Sequence, residues 1–181
     1  MKRDPEFAVW ITGLPASGKS TLSRALEQEL AARGIDICIL ESDAVRKFLT
    51  PEPRYDDAER EAFYGAVAHI GRILTGHGVP VLFDATANRR SYRDRARALL
   101  PKFLEVYVEC PLAVCVSRDP KGIYRRGIEG TAPGVPGLQA SYEPPERPDV
   151  VVRGDREDPG AAARRIVEAL SARGYLEGVR R

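Results

Sequence analysis

Gly13-Leu14-Pro15-Ala16-Ser17-Gly18-Lys19-Ser20-Thr21 decides the fold, because it matches the phosphate-loop pattern GxxxxGK[ST] in full. Glycines at both ends let the backbone curl until successive N–H groups point inward onto phosphate oxygens. The flanks are those the motif requires. Phe7-Ala8-Val9-Trp10-Ile11-Thr12 reads as a buried strand, and the residues from about Lys19 to Arg33 read as a helix that stops at Gly34. Leu22, Leu26 and Leu30 fall four apart on that helix, the stripe a core-facing helix needs. The helix N-terminus adds partial positive charge where a phosphate would sit. Lys19 is then expected to reach the β- and γ-phosphates of ATP, with the Ser20 hydroxyl on Mg²⁺. Gly13, Pro15, Ala16, Ser17, Gly18 and Thr21 complete the cradle.

Outward from the loop, short apolar runs alternate with longer amphipathic ones. Strands are expected at Ile35 to Leu40, Val79 to Ala85, Phe103 to Glu109 and Asp149 to Val152. Helices are expected at about Asp57 to Thr75, Arg90 to Leu100 and Pro159 to Arg173. Five strands alternating with helices behind a phosphate loop describe an α/β P-loop fold, a five-stranded parallel sheet covered on both faces. The stretch from about Gly127 to Pro148 breaks the rhythm, with four Gly, five Pro and no periodicity. A loop of that length inside a compact domain is usually a lid or a binding loop. The expected organisation is one domain over 1–181, with a lid and acceptor loop over about 119–148.

Bulk properties exclude several classes. The 181 residues are 43% hydrophobic and 30% charged, with a formal net charge of +2, which suits a soluble globular protein without long-range steering of nucleic acid. Arginine outnumbers lysine, which genomic composition explains as well as phosphate chemistry does. Cys38, Cys110 and Cys115 have no CxxC spacing and no nearby His, so they read as small core residues in a reduced compartment. His69 and His77 have no metal-ligand partner at useful spacing. The apolar run before Gly13 is too short for a signal peptide, and nothing approaches a membrane span. A cytoplasmic location is the expectation.

A phosphate loop alone does not separate a kinase from a switch, and the second strand supplies the distinction. Leu40-Glu41-Ser42-Asp43-Ala44-Val45-Arg46 leaves two carboxylates and a guanidinium at the carboxyl edge of the sheet, where parallel α/β proteins bind ligands. Asp43 is placed to accept the acceptor's hydroxyl proton or to hold a Mg²⁺-bound water, and Arg46 to fork onto an anionic group. Alternatively, Asp43 caps a helix from Ala44 onward. Arg118-Asp119-Pro120-Lys121-Gly122-Ile123-Tyr124-Arg125-Arg126 reads as a cationic lid that neutralises charge and excludes water, or as a solvated basic helix face. Asp84, at the end of the third strand, stands where P-loop enzymes often carry a Mg²⁺-associated carboxylate.

Taken together these residues resemble the adenylylsulfate kinase family, which phosphorylates the 3′-hydroxyl of adenosine 5′-phosphosulfate (APS) with ATP. WITGLPASGKST resembles that family's tryptophan-led phosphate loop, and LESDAVRKFL its LDGDNVR segment. RDPKGIYRR is close to its RDPKGLY lid, and TAPGVPGLQASYEPPERP follows its FTGIDxPYEAP segment without a gap. The resemblance implies that Lys19 and Ser20 handle ATP-Mg²⁺, that Asp43 is the catalytic acid/base, and that Lys121 is the lid lysine. Arg118 falls on the Arg near the ATP adenine. Arg46, Tyr55, Arg60 and Arg90 fall on acceptor-side positions. The family commonly dimerises, so a homodimer is also implied.

The departures concern the acceptor. The family's ISPYR reads Thr86-Ala87-Asn88-Arg89-Arg90, the Phe of its adenine clamp is Val135, an Asn is Phe63, and the first Asp of LDGD is Glu41. The family has no acid at the position of Asp84. Stacking of a base on an aromatic is worth roughly 1–3 kcal/mol, of which Val returns only part. The acceptor is therefore APS or another small anionic alcohol, sugar or nucleoside-like metabolite. A nucleotide-dependent switch without acceptor chemistry is the reading from a different class. A GTPase would carry an NKxD base motif, which is absent, and a switch gives the Asp43 and Arg46 constellation no purpose.

Overall fold

The computed structural model describes residues 6–177, so the ends of the expected 1–181 domain lie outside the described residues. Strands β1 (Ala8–Thr12), β2 (Cys38–Glu41), β3 (Val81–Asp84), β4 (Phe103–Glu109) and β5 (Val150–Arg153) form one sheet in the order β2-β3-β1-β4-β5. All four pairings are parallel. The expected fold class holds. β1 lies at the centre, so the loop that leaves it opens where neighbouring strand ends converge.

The helices are α1 (Lys19–Ala31), α2 (Ser42–Leu49), α3 (Asp57–Gly76), α4 (Arg90–Leu99), α5 (Leu112–Arg118), α6 (Ile123–Ile128) and α7 (Pro159–Ala172). None of the described helices is long and apolar enough to cross a membrane. Asp56 and Asp158 cap α3 and α7, accepting from the N–H groups of Glu59 and Ala161 at 2.8 Å each. The periodicity of the sequence does not predict α2, α5 and α6. With 8, 7 and 6 residues, they are too short to show a helical period. β2 starts three residues later than expected, because its ladder begins where β3 does, at Cys38↔Val81 after Pro80.

Both faces of the sheet are buried, as a continuous apolar β1 demands. Phe7, Val9 and Ile11 point to one side, where they pack with Leu22, Leu26 and Leu30 of α1 and Ile166 and Leu170 of α7. Ala8 and Trp10 point to the other, among Phe63, Tyr64 and Val67 of α3, Tyr92 of α4, and Phe83. Trp10 stacks on Phe83 with centroids 4.6 Å apart, and its indole N–H donates to Ala85 O at 3.2 Å.

Close approach of α3 to this face depends on Gly71, where a Cβ would lie 2.2 Å from Phe83 Cζ. Gly65, on the same helix, has more room. A Cβ there would meet only the end of the Arg95 side chain, at 3.3 Å. Ala at a helix interior is ordinarily worth about 0.5–1 kcal/mol over Gly. Gly65→Ala is expected to show that gain, whereas overpacking should make Gly71→Ala lose about 1–3 kcal/mol. Urea unfolding of the two variants checks the opposite signs.

Candidate active site

The phosphate loop is built by conformation first. Gly13 has φ 152°, and a Cβ there would sit 2.6 Å from Val108 O, so only glycine lets the loop lie against the end of β4. Ala16 (φ 59°) and Gly18 (φ 109°) also take positive φ. Gly18 is the N-cap of α1 and offers no side-chain cap, so the first-turn N–H groups of that helix face the cavity before them. Tyr124 supports the loop from behind, its hydroxyl donating to Pro15 O at 3.0 Å. Ser17 Oγ is buried without a hydrogen-bond partner.

Lys19 is 9% exposed and folds back over the loop, donating to Gly13 O at 3.1 Å and Leu14 O at 2.8 Å. Burial lowers its pKa, while Asp84 and Asp43 pull it the other way. A buried ammonium with only carbonyl partners is stabilised by an incoming anion.

Two cavities open along the carboxyl edge of the sheet. The first, about 770 Å³, runs from the phosphate loop past Arg118 to the segment from Gly154 to Pro159. The second, about 500 Å³, is lined by Arg46, Tyr55, Arg60, Tyr64 and Val135, among others. Pro15, Ser42, Asp43, Thr86, Lys121 and Ile123 line both. At this junction Lys121 Nζ donates to Asp43 Oδ2 at 2.6 Å and lies 3.7 Å from Glu41 Oε1. The bond to Asp43 holds the Lys121 pKa above the ordinary lysine value. Two residues 78 positions apart in sequence thus meet where one cavity becomes the other.

Asp43 lies in the first turn of α2, whose N-cap is Glu41 with no side-chain cap bond. The capping reading is therefore corrected: the Asp43 carboxylate is committed to the cleft. Arg118 lines the first cavity, with Nη1 donating to Gly154 O at 2.9 Å. That partner belongs to a strand-exit segment to which no motif of the sequence assigns a role. Gly154 directly after an apolar strand at the ligand-binding edge is the available signal.

On the acceptor side the outcomes differ. Arg46 lines the second cavity but is held on three sides. Its Nη1 donates to Glu59 at 2.6 Å and Thr50 Oγ1 at 3.2 Å, and its guanidinium lies 3.8 Å over the Phe63 ring. Glu59 is not identifiable as a site residue from the sequence, yet it also accepts from Tyr55 N at 3.2 Å. Tyr55, 37% exposed, and Val135 both line the cavity, with Val135 an apolar wall backed by Cys110, Cys115 and Tyr124.

Arg60 reaches the same cavity, but three of its nitrogens are taken: Nε by Tyr55 O (2.9 Å), Nη1 by Asn88 Oδ1 (3.1 Å) and Nη2 by Gly134 O (2.6 Å). It fastens three segments together and so shapes the cavity wall that it lines. Arg90 is corrected outright. It lines neither cavity and instead pairs with Glu146 and Glu143. Its own backbone N–H also donates to Glu143, at 2.8 Å.

The long loop divides as well. Its cationic start forms α6, while the part beyond Gly134 is strapped down. Gln139 donates to Gly127 O at 2.6 Å, Glu143 N to Asn88 O at 2.7 Å, and Arg93 to Glu143 O at 2.6 Å. Thr12 Oγ1 and the Tyr142 hydroxyl lie 3.0 Å apart. Cys110 and Cys115 are buried core residues, while Cys38 is half-buried against the core; burial and the neighbouring Cys110 push the Cys115 thiol up to about 12.

Among the described residues no group of three His, Cys, Asp or Glu side chains could hold a metal by itself. A cation that arrives on a nucleotide takes few protein oxygens. The exposed Ser20 and the carboxylates of Asp43 and Asp84, all lining the first cavity, are the oxygen donors available to it.

The family model described as Adenylylsulphate kinase matches residues 5–153. The adenylyl-sulfate kinase of a Synechococcus species is 36% identical over 168 residues, 93% of this chain and 96% of the relative. The probable adenylyl-sulfate kinase of Archaeoglobus fulgidus is 38% identical over 152 residues, 84% of this chain and 98% of the relative. The structure of the Mycobacterium tuberculosis APS kinase, solved in complex with AMPPNP and APS, superposes with a TM-score of 0.87 at 29% identity, covering 93% of this chain and 99% of that one. With its phosphate loop, its Asp43–Lys121 junction and relatives matched over nearly their whole length, the chain belongs to the adenylylsulfate kinase family.

Proposed function

We propose that the chain transfers the γ-phosphoryl group of ATP to the 3′-hydroxyl of adenosine 5′-phosphosulfate. The observation that carries this reading is the junction. Asp43 and Lys121 are hydrogen-bonded at the place common to a phosphate-loop cavity and a second, arginine-lined cavity. The complex of the Mycobacterium tuberculosis relative with AMPPNP and APS supports this pair of ligands for the two cavities, the nucleotide beside the phosphate loop.

In this reading Lys19 and the loop amides hold the terminal phosphates, Arg118 flanks the nucleotide, and Ser20 and Asp43 are protein oxygens that would hold the metal. Mg²⁺, bound with the nucleotide, would neutralise phosphate charge. The acceptor hydroxyl lies at the junction, where Asp43 accepts its proton as the new P–O bond forms. Lys121 then turns from Asp43 to the transferring group, so its charge follows the charge that develops. Arg46, fixed by Glu59 and Phe63, presents a guanidinium to the acceptor's anionic group without further ordering cost. Mg²⁺ as the metal, a dimeric assembly and a cytoplasmic setting belong to the same proposal, on the strength of the family alone.

A second acceptor class is favoured by one feature, the Val135 wall where the family stacks a Phe. ADP release measured with ATP and APS separates the two. Turnover dependent on APS is expected, and no stimulation by APS together with turnover of another alcohol would replace the acceptor.

Asp43→Asn is expected to lower kcat by about 10²–10⁴-fold, the range for loss of a positioned general base. Its melting temperature should stay close to that of the parent, since Asp43 caps nothing. Arg60→Lys keeps the charge but cannot span three acceptors, so the KM for the acceptor should rise more than kcat falls. Steady-state kinetics at saturating ATP reads that split.

A further inference from the structure

Tyr64 enters none of the steps above, although it lines the second cavity together with Asp43, Arg46, Arg60 and Thr86. It lies on α3 among the aromatic residues of one sheet face and is 5% exposed. Its ring stacks on Tyr92 with centroids 5.0 Å apart, meets Phe63 edge-on at 5.2 Å and tilts toward Trp10 at 6.4 Å. Three neighbouring rings therefore hold the Tyr64 ring in the apolar layer, which leaves its hydroxyl end for the cavity side.

The hydroxyl oxygen accepts from Ala87 N at 3.1 Å. Ala87 has φ 40°, so this bond helps hold the chain leaving β3 in a conformation that residues other than glycine seldom adopt. A hydroxyl engaged in this way still has its own proton to donate. Among the described residues nothing takes that proton, because the contact with Ala87 is the only hydrogen bond the hydroxyl makes. Burial pushes the phenol above its ordinary value against the pull of Arg46 and Arg60, so it stays protonated at neutral pH. A buried donor without an acceptor is costly, and a ligand that supplies one recovers that cost.

We propose that Tyr64 is a binding residue for the phosphoryl acceptor, donating its hydroxyl proton to an anionic oxygen of APS alongside the Arg46 guanidinium. The assignment rests on the reading of the second cavity as the APS site and adds a residue to it. An anionic oxygen is the fitting partner for two reasons. The cations whose charge acts on the phenol, Arg46 and Arg60, both line this cavity and favour negative charge there. A neutral donor among them adds a directed bond without another ion to desolvate. The packed ring fixes the direction of that bond in advance.

The alternative is a role in the fold alone, in which the hydroxyl serves Ala87 N and touches no ligand. The two differ in whether the loss on removing the hydroxyl follows the ligand's charge.

The test compares the parent with Tyr64→Phe, both saturated with ADP. APS binding is measured by calorimetry, and binding of adenosine, which lacks the phosphosulfate, by competition against APS. The Kd for APS is expected to rise about tenfold or more, the weight of a hydrogen bond to a charged group. The Kd for adenosine and the Kd for ADP should be unchanged.

Equal APS affinity in parent and variant overturns the proposal. So does a loss of the same size for APS and adenosine, which is the mark of a cavity reshaped through Ala87. Failure of the parent itself to bind APS would remove the APS reading, and this assignment with it, before any variant is compared. Should Tyr64→Phe not fold once Ala87 N–H has lost its partner, the parent labelled with ¹³C at tyrosine Cζ carries the test. The Tyr64 resonance should then shift with APS and not with adenosine, and no response to APS overturns the proposal.

Discussion

The whole site depends on how closely the phosphate loop can lie against the end of β4. The backbone at Gly13 passes so near Val108 O that a Cβ would fall 2.6 Å from it, and Ser17 Oγ would be only 2.8 Å away on the other side. That contact fixes the loop relative to the central strands and aims the uncapped start of α1 into the cavity. Lys19 can then reach across the loop only because the chain is tightly coiled there. Everything that meets the nucleotide is therefore referenced to the middle of the sheet, where both faces are packed.

From that frame, charge is distributed in a way that suits transfer rather than mere binding. Cations from three separate segments (Lys19, Arg46, and Arg118 with Lys121) border the two cavities, and the carboxylates Asp43 and Asp84 sit among them. Lys121 and Asp43 neutralise one another when nothing else is bound, so neither is left as an uncompensated charge in the cleft. Their mutual hydrogen bond contributes little net stability, because both side chains are more than half exposed. Its value lies in being exchangeable: each partner can be released to a ligand at small cost. The Arg46–Glu59 pair is the contrast. Its side chains are about nine-tenths buried, and it holds one geometry.

Legibility in the sequence followed the range of the interaction. The phosphate loop was readable because its conformation depends on glycines a few residues apart. α1, α3 and α7 were readable because a long helix repeats its apolar stripe. Asp43 and Lys121 were each identified by local pattern and by resemblance, but their contact across 78 positions appears only in the fold. Arg60 and Arg90 show the limit more sharply. Both are arginines on acceptor-side motif positions, yet one is consumed by Tyr55 O, Asn88 and Gly134 O, and the other turns to Glu143 and Glu146. Guanidinium groups carry several donors, and which acceptors they find is decided by loops that no periodicity describes.

One departure from the family on the acceptor side acts directly on Arg46. Phe63 takes the place of an Asn, and its ring lies 3.8 Å beneath the Arg46 guanidinium. Tyr55 is 5.1 Å from the same group. An amide at position 63 would hold an arginine by a hydrogen bond and compete with a ligand for its donors. An aromatic ring holds it by its face and leaves the edge donors to others. Glu59 and Thr50 both take Nη1, so among the described residues Nη2 and Nε have no partner. The arginine is thus locked in place with its remaining donors free, which favours anion recognition even as Val135 removes a stacking surface for a base.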